Sequence, residues 1–414
     1  MGATVTDSTM SGTFLSEPDA HADAEPRHRE RRERRHRVLK AVAICVAVIL
    51  VVVATGGFLA YQHLNGNITK EDITKKLGTD RPTEKPRKKG VKYKAENILL
   101  LGSDTRQGQS GKKIGGATPG LSDTTILLHV SADRKLAYGV SLPRDAMVHR
   151  PWCQRKGKGN GIAPAAFEQF NEAYAKGGAG CTAKTVEQLT GVFIDHYMVI
   201  DFTGFKKVVN ALGGVQVCVP NAVDDTTGHI QLKAGTYNVK GEQALDYVRV
   251  RHDLGVENGD IGRMKRQQTF LASMANKAVS AKTLVNVPRL YKVLDAATKS
   301  LTTDPGLGSV KKLASMARSL NGIGLSHIQF LTVPFEEYPP DHNRLQWALS
   351  AKQLWKRIID DQPVGKQFQD GLTTAANKDG KSAKKKGSSA SPSPSATAAA
   401  ERAAELRRQN GLCA

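Results

Sequence analysis

The sequence predicts an α/β fold: an α-β-α sandwich on a mixed parallel and antiparallel sheet, placed behind one N-terminal transmembrane helix. Three observations point to it. Apolar strand-like runs alternate with helical ones between residues 95 and 370. The β-rich runs "DTTILLHV" and "KLAYGVSL" flank "SADR" and read as a hairpin, which a purely parallel sheet would not contain. Ahead of them, "AVAICVAVILVVVATGGFLAYQ" offers roughly 22 uncharged residues, enough to cross a ~30 Å hydrocarbon core.

The elements follow in order. "NILLLG" (97–102) is a short apolar run ending in glycine, a buried strand, and the hairpin comes next. "AFEQFNEAYAKGG", with a glycine stop, and "AKTVEQLTG" read as helices. "HYMVIDF" is a strand, "TGFKKVVNALGG" a helix and "VQVCVP" a strand. "GEQALDYVRV", "DIGRMKRQQTFLASMANKAV" and "GSVKKLASMARSL" carry helical periodicity. "HIQFLTVPF" is a late strand, and "NRLQWALSAKQLWKRIID" a closing helix.

This divides the chain into five segments. Residues 1–37 lack periodic apolar content and read as a disordered basic arm. Residues 38–62 are the membrane helix, 63–94 a charged stalk, 95–370 the folded domain, and 371–414 a low-complexity tail with a short helix-prone end. Arginines ahead of the span place the N-terminus in the cytoplasm and the domain outside the cell. A cleaved signal peptide fits less well, because the charged region before the apolar run is too long.

The formal net charge is +21, which by itself suggests nucleic acid or an anionic surface. Its distribution argues against nucleic acid: more than half of the excess lies in residues 1–40, 65–94 and 371–414, outside the domain. There are five cysteines. Cys153 and Cys181 bracket the Gly- and Lys-rich "QRKGKGNG", and outside the cytoplasm a disulfide would hold that stretch; two buried thiols are the alternative. Cys218, in an apolar run, reads as a core residue, and Cys45 lies in the span.

The chemistry-bearing residues gather at strand ends. If the hairpin turns at 131–134, Asp123 at the start of one strand lies opposite Arg144 and Asp145 at the end of the other. "LGSDTR" adds Asp104 and Arg106 just past another strand, where open sheets carry their sites. Two such acids suit Mg²⁺ or Mn²⁺, since magnesium takes one or two protein carboxylates and fills its shell with water and phosphate oxygens. Singly, each acid is better read as a turn cap or a structural ion pair.

"RVRHDLGVENGDIGRMKRQQ" (249–268) carries the remaining arginines. With Asp260 as N-cap, Ile261, Met264, Leu271, Met274 and Ala275 share a core face, and Lys265 points away into solvent. Arg263 and Arg266 fall on the shoulder of that face, with Gln267 between shoulder and core. Arg249 and Arg251 alternate on the preceding segment. Guanidinium forks take two phosphate oxygens at once, so four of them with a divalent cation match a pyrophosphate. A salt-bridged surface helix is the plainer reading for "RMKRQQ" alone.

The motifs "LGSDTR", "SDTTILLHV", "SLPRD", "FNEAYAKGG", "IDFTGF", "ALGGVQV", "GEQALDYVRVRHD" and "GDIGRMKRQQ" occur in that order over about 100–270. Together with the anchor they resemble the LytR-CpsA-Psr family of Gram-positive envelope proteins. The resemblance implies a transferase that moves a glycopolymer from a polyprenyl diphosphate carrier to peptidoglycan. The expected acceptor is the 6-hydroxyl of N-acetylmuramic acid, and a phosphodiester results. It implies magnesium-binding roles for Asp104 and Asp123. It implies pyrophosphate contacts for Arg144, Arg249, Arg251, Arg263, Arg266 and Gln267. Arg106 joins that set by its place just past a strand, and Asp145 is the candidate for the hydroxyl proton by adjacency, so Arg144, Asp145 and Arg251 are the catalytic candidates. Leu121 and Gln169 depart from the family, which often has arginine and lysine there. The other readings are a lipid-pyrophosphate hydrolase, a non-catalytic wall-polymer scaffold, and a transcriptional regulator, the last in conflict with the predicted topology.

Overall fold

The computed structural model of the protein describes residues 25–103, 120–156, 161–226, 229–250 and 259–374. The chain divides into two compact units, residues 1–62 and 63–414. Helix α1, Glu25–Gly66, is continuous across the expected span, and among the described residues it alone is long and apolar enough to cross a membrane. Residues 25–37, expected to lack structure, are helical. The apolar stretch that follows already supplies the helix nucleus from which these residues continue.

The second unit is built on an eight-stranded sheet. In chain order its strands are β1 Thr69–Lys70, β2 Glu96–Ser103, β3 Ser122–Val130, β4 Ala137–Leu142, β5 His196–Asp201, β6 Leu301–Thr303, β7 Ile328–Thr332 and β8 Thr373–Thr374. Across the sheet they run β1-β6-β5-β2-β3-β4-β7-β8. β2 pairs parallel with β5 and antiparallel with β3, and β4 pairs antiparallel with β3 and parallel with β7. The sheet is therefore mixed, and the β3–β4 hairpin turns where expected. Ser131 accepts from the Arg134 amide at 3.0 Å, and its hydroxyl accepts from Leu136 N–H at 3.0 Å. Arg134 holds a positive φ of 56° in that turn.

Alternation along the strands sends side chains to two cores. On one face Leu99, Leu101, Leu127, Val140 and Leu142 pack with α2 (Thr74–Leu77), α3 (Glu172–Thr190) and α10 (Ala351–Ile359). On the other, Ile98, Leu128, Val130 and Phe330 pack with α6 (Gly259–Ala278) and α9 (Val310–Ile323). A third core joins α4 (Phe202–Ala211), α5 (Gly241–Arg249) and two small hairpins spanning 215–239. Helix α6 serves two of these cores, giving Phe270 to the third and Ala272 to the second. That is why a single apolar face did not describe it.

Three further segments differ from expectation. Residues 63–94 are not a free stalk: β1 extends the sheet, Ile73 and Leu77 are buried, and Arg81 bonds the buried Glu187 at 2.5–3.2 Å. The charge density of the segment masked these few apolar anchors. The expected first helix at 166–178 opens as a strand, Ala166–Gln169, paired with Met147–Arg150, and helix begins at Glu172. Gly178, read as a stop, is instead a kink with φ 64° inside α3, a conformation open to glycine. Asp341–Trp347, expected to open the closing helix, pairs as a strand with Phe335–Tyr338, and helix is confined to α10.

Cys153 and Cys181 form a disulfide with Cα atoms 5.4 Å apart. Cys218 is buried as expected but is disulfide-bonded rather than a plain core thiol. Cys45 is a free cysteine in α1.

Candidate functional site

β2, β4, β5 and β7 all end on the same side of the sheet, where β3 begins. The hairpin register sets Thr125 opposite Leu142, so Asp123 and Arg144 each lie two residues further out on neighbouring strands. They meet: Arg144 Nη1 donates to Asp123 Oδ1 at 2.6 Å, and its Nε donates to Asp145 Oδ2 at 3.0 Å. All three side chains are mostly covered. One guanidinium thus lies between two carboxylates at the mouth of the sheet. Asp104 directly follows Ser103, the last residue of β2, and lies with Arg106 and Arg251 outside the described residues.

The next strand over brings Arg249. Ser103 pairs with Asp201 at the end of β5, and Asp201 caps α4 by accepting from Gly204 N–H at 2.6 Å. Phe202 follows, and the Arg249 guanidinium sits 5.0 Å from the centre of its ring. Arg249 ends α5, so it is held at the same side of the sheet as Arg144. One turn earlier on α5 is Asp246, which the sequence reading missed. Burial, then Glu242, pushes its carboxyl up to about 6 against the pull of Arg249 and Lys206.

Helix α6 starts at Gly259, one residue before the expected cap Asp260. Arg263 and Arg266 are buried more deeply than shoulder positions would be, at 3% and 1% exposure. Arg266 donates to the Val250 carbonyl, and Gln267 Nε2 donates to Val248 O at 3.1 Å. Gln267, expected to touch phosphate, thus spends this bond on the end of α5. Lys265, expected in solvent, is largely covered, and burial pushes its pKa down to about 8. Both differences follow from α6 being packed on more than one side. The adjacent Gln268 was missed: its Nε2 donates to Ser141 at 2.9 Å and Thr332 at 3.0 Å, pinning α6 to the ends of β4 and β7.

Three further groups belong to this edge. Tyr174 hydrogen-bonds Ser103 and is raised in pKa by burial. Asn171, of the "FNEAY" motif, donates its backbone N–H to Arg144 O at 3.1 Å; its buried Oδ1 has no hydrogen-bond partner among the described residues. Arg344 is the third. Its strand bridges to Ala146, Leu345 N–H donates to Asp145 O at 3.4 Å, and Gln169, with its amide oxygen turned toward Arg344, accepts from that guanidinium at 2.8–3.1 Å. A cation thus stands beside the position where the family's lysine is replaced by Gln169. The reading of 343–360 as helix hid this placement.

Among the described residues no three His, Cys, Asp or Glu side chains cluster as a metal cage. Asp123 presents a carboxylate at the sheet mouth with one oxygen engaged by Arg144. That donor set suits a hard cation satisfied by one or two carboxylates, not a closed tetrahedral site.

Residues 60–358 match the LytR_cpsA_psr family, nearly three-quarters of the chain. The chain belongs to that family. It is 33% identical over 265 residues to cell wall biosynthesis protein LcpA of Corynebacterium glutamicum, covering 58% of this chain and 50% of that one. The chain thus spans about half the length of that relative. It is 30% identical to the polyisoprenyl-teichoic acid–peptidoglycan teichoic acid transferase TagT of Bacillus subtilis, over 66% of this chain and 80% of TagT. The fold is that of a LytR-Csp2A-Psr enzyme from Actinomyces oris, with a TM-score of 0.52 and 20% identity over 70% of this chain and 96% of that one. The mixed sheet and its helical layers are therefore the architecture of this family.

Proposed function

We propose that this protein transfers a glycopolymer from a polyprenyl diphosphate carrier to the 6-hydroxyl of N-acetylmuramic acid in peptidoglycan. The observation that carries the reading is the Asp123–Arg144–Asp145 cluster at the mouth of the sheet, in a chain of the LytR-CpsA-Psr family. The name of TagT, a teichoic acid transferase, supports the same reaction class. Under this reading the protein is a single-pass membrane protein, with its N-terminus in the cytoplasm and the sheet-bearing unit outside.

The reaction is phosphoryl transfer governed by positioning and charge neutralisation. Arg144 and Arg249, with Arg251, Arg263 and Arg266, supply positive charge to a diphosphate lying across the strand ends, and Arg106, three residues past β2 in the sequence, is a further candidate contact. The hydroxyl oxygen attacks the phosphorus bearing the sugar and forms the new P–O bond. The bond from that phosphorus to the bridging oxygen breaks, and polyprenyl phosphate leaves with the electron pair. The hydroxyl proton passes to Asp145, which Arg144 holds in place. Asp123 and Asp104 would hold Mg²⁺ or Mn²⁺, which neutralises charge on the diphosphate oxygens when bound.

The test uses full-length protein in lipid nanodiscs, a polyprenyl-diphosphate-linked glycan and a muramic-acid-containing oligosaccharide. Phosphodiester-linked product and polyprenyl phosphate are expected only with acceptor present. Polyprenyl phosphate released equally without acceptor would make the protein a hydrolase. Donor binding without turnover would make it a scaffold.

A further inference from the structure

Helix α7 (Ala281–Leu284), the turn after it and helix α8 (Val287–Lys299) leave a run of large apolar side chains uncovered. Val285 and Val287 are 80% and 72% exposed, and Leu284, Tyr291 and Leu294 are exposed beside them. Val287, Tyr291 and Leu294 are spaced i, i+4, i+7, so they form one stripe on α8. Exposed apolar residues scattered singly are ordinary; a contiguous group marks an interaction surface. Lys292, also exposed, borders the stripe.

What identifies the partner is where α8 is fastened. Asp295, one turn beyond Tyr291, accepts from Asn67 Nδ2 at 3.1 Å and pairs with His63 at 3.0 Å, and Asn67 also donates to Thr298 at 3.3 Å. His63 lies in the last turn of the apolar span Arg34–Gly66, and Asn67 directly follows it. The near end of the stripe, Leu294, is therefore one residue, about 1.5 Å along the axis, from the Asp295 anchor, and Tyr291 lies about 6 Å from it. The register agrees: Thr69 pairs with Thr302, next to Leu301 and its partner Ile200, so the chain enters the sheet at the end bearing Asp123 and Arg144.

We infer that the Leu284–Leu294 surface lies in the headgroup region of the bilayer the span crosses, with its apolar side chains at the acyl boundary and Lys292 on anionic headgroups. This second membrane contact rests on the span being inserted.

The test is nitroxide depth measurement on full-length protein in nanodiscs of equal phosphatidylglycerol and phosphatidylcholine. A Cys45→Ala background receives one label at Val285→Cys, Val287→Cys, Val48→Cys in the span, or Lys352→Cys on exposed α10. Labels at 285 and 287 are expected to be oxygen-accessible and at least fivefold less accessible to a nickel chelate than the label at 352. Equal nickel access at 285, 287 and 352, with the label at 48 protected, overturns the inference while leaving the span intact. Nickel access at 48 overturns both. Protection at 285 and 287 that persists in detergent and grows with protein concentration assigns the surface to a second copy of the chain and also overturns it.

Discussion

The two ends of the main sheet are both rich in charge but use it differently. At the end away from the site, acid and base are matched. Arg134 pairs with Glu96, His196 with Asp304, Lys94 with Asp195 and Glu84, and His129 with Asp361. These contacts bind loops to strand ends. At the other end Arg144 is shared by two carboxylates, and Arg249, Arg263 and Arg266 arrive from a different layer. Matched pairs hold a structure together. Under the proposed function, guanidinium groups brought to one strand end from several elements serve a ligand of opposite sign.

Substitutions sharpen the contrast. Arg144→Ala is expected to cut transfer per folded molecule by about 10²–10³-fold, the usual effect of removing one charge-stabilising donor, beyond any stability lost as Asp123 and Asp145 give up their shared guanidinium. A variant with normal turnover would dissolve the distinction. Arg81→Ala, on the matched side of the molecule, leaves the buried Glu187 carboxylate without its partner; a loss of about 3 kcal/mol in denaturant unfolding is expected, with activity per folded molecule unchanged. Arg344→Ala is expected to raise the KM for the lipid-linked donor about tenfold and leave kcat near normal, the signature of a charge that binds without acting in the transition state.

pH separates the ends as well. Burial lowers the His196 pKa, but the Asp304 hydrogen bond and the charges of Asp304, Asp195 and Glu96 outweigh it, and the net shift is upward. Asp304 is shifted down by the same pair, against its own burial. His196 therefore contributes its stability in full below about pH 6.5 and loses it as pH rises through the raised value. Asp304 contributes above about pH 4 and loses it as pH falls. His196→Ala should flatten the decline of stability above pH 6.5, measured by thermal unfolding. The smallest effect is expected at Asp246. Its carboxyl titrates near 6 in the fold, so ionisation costs stability as pH rises from about 4 to 6, and Asp246→Asn should remove that fall.

Much of the architecture was legible because it rests on local rules. The β3–β4 hairpin was visible as two β-rich runs around a polar turn, and its register alone brings Asp123 to Arg144. The pairing of Cys153 with Cys181 was legible from the poor core between them. What escaped depends on long-range packing. No local pattern shows that α6 separates two cores, so Lys265 was placed in solvent and Gln267 on a ligand. Arg344 was lost because "NRLQW" has helical composition, and only its pairing with Phe335–Tyr338 makes it a strand. β1 was lost because two residues carry no periodicity; its partner β6 lies more than two hundred residues away.

The sheet is closed at both margins by the shortest strands in it, β1 at one side and β8 at the other, each of two residues. Such stubs offer little template for adding another strand. They also separate the chain's two exits. Seven inter-strand steps of ~4.8 Å put Thr374 roughly 34 Å across the sheet from Thr69. A fusion partner joined beyond Thr374 would therefore start well to the side of the entry at Thr69, and a bulky one there should leave that margin of the sheet clear.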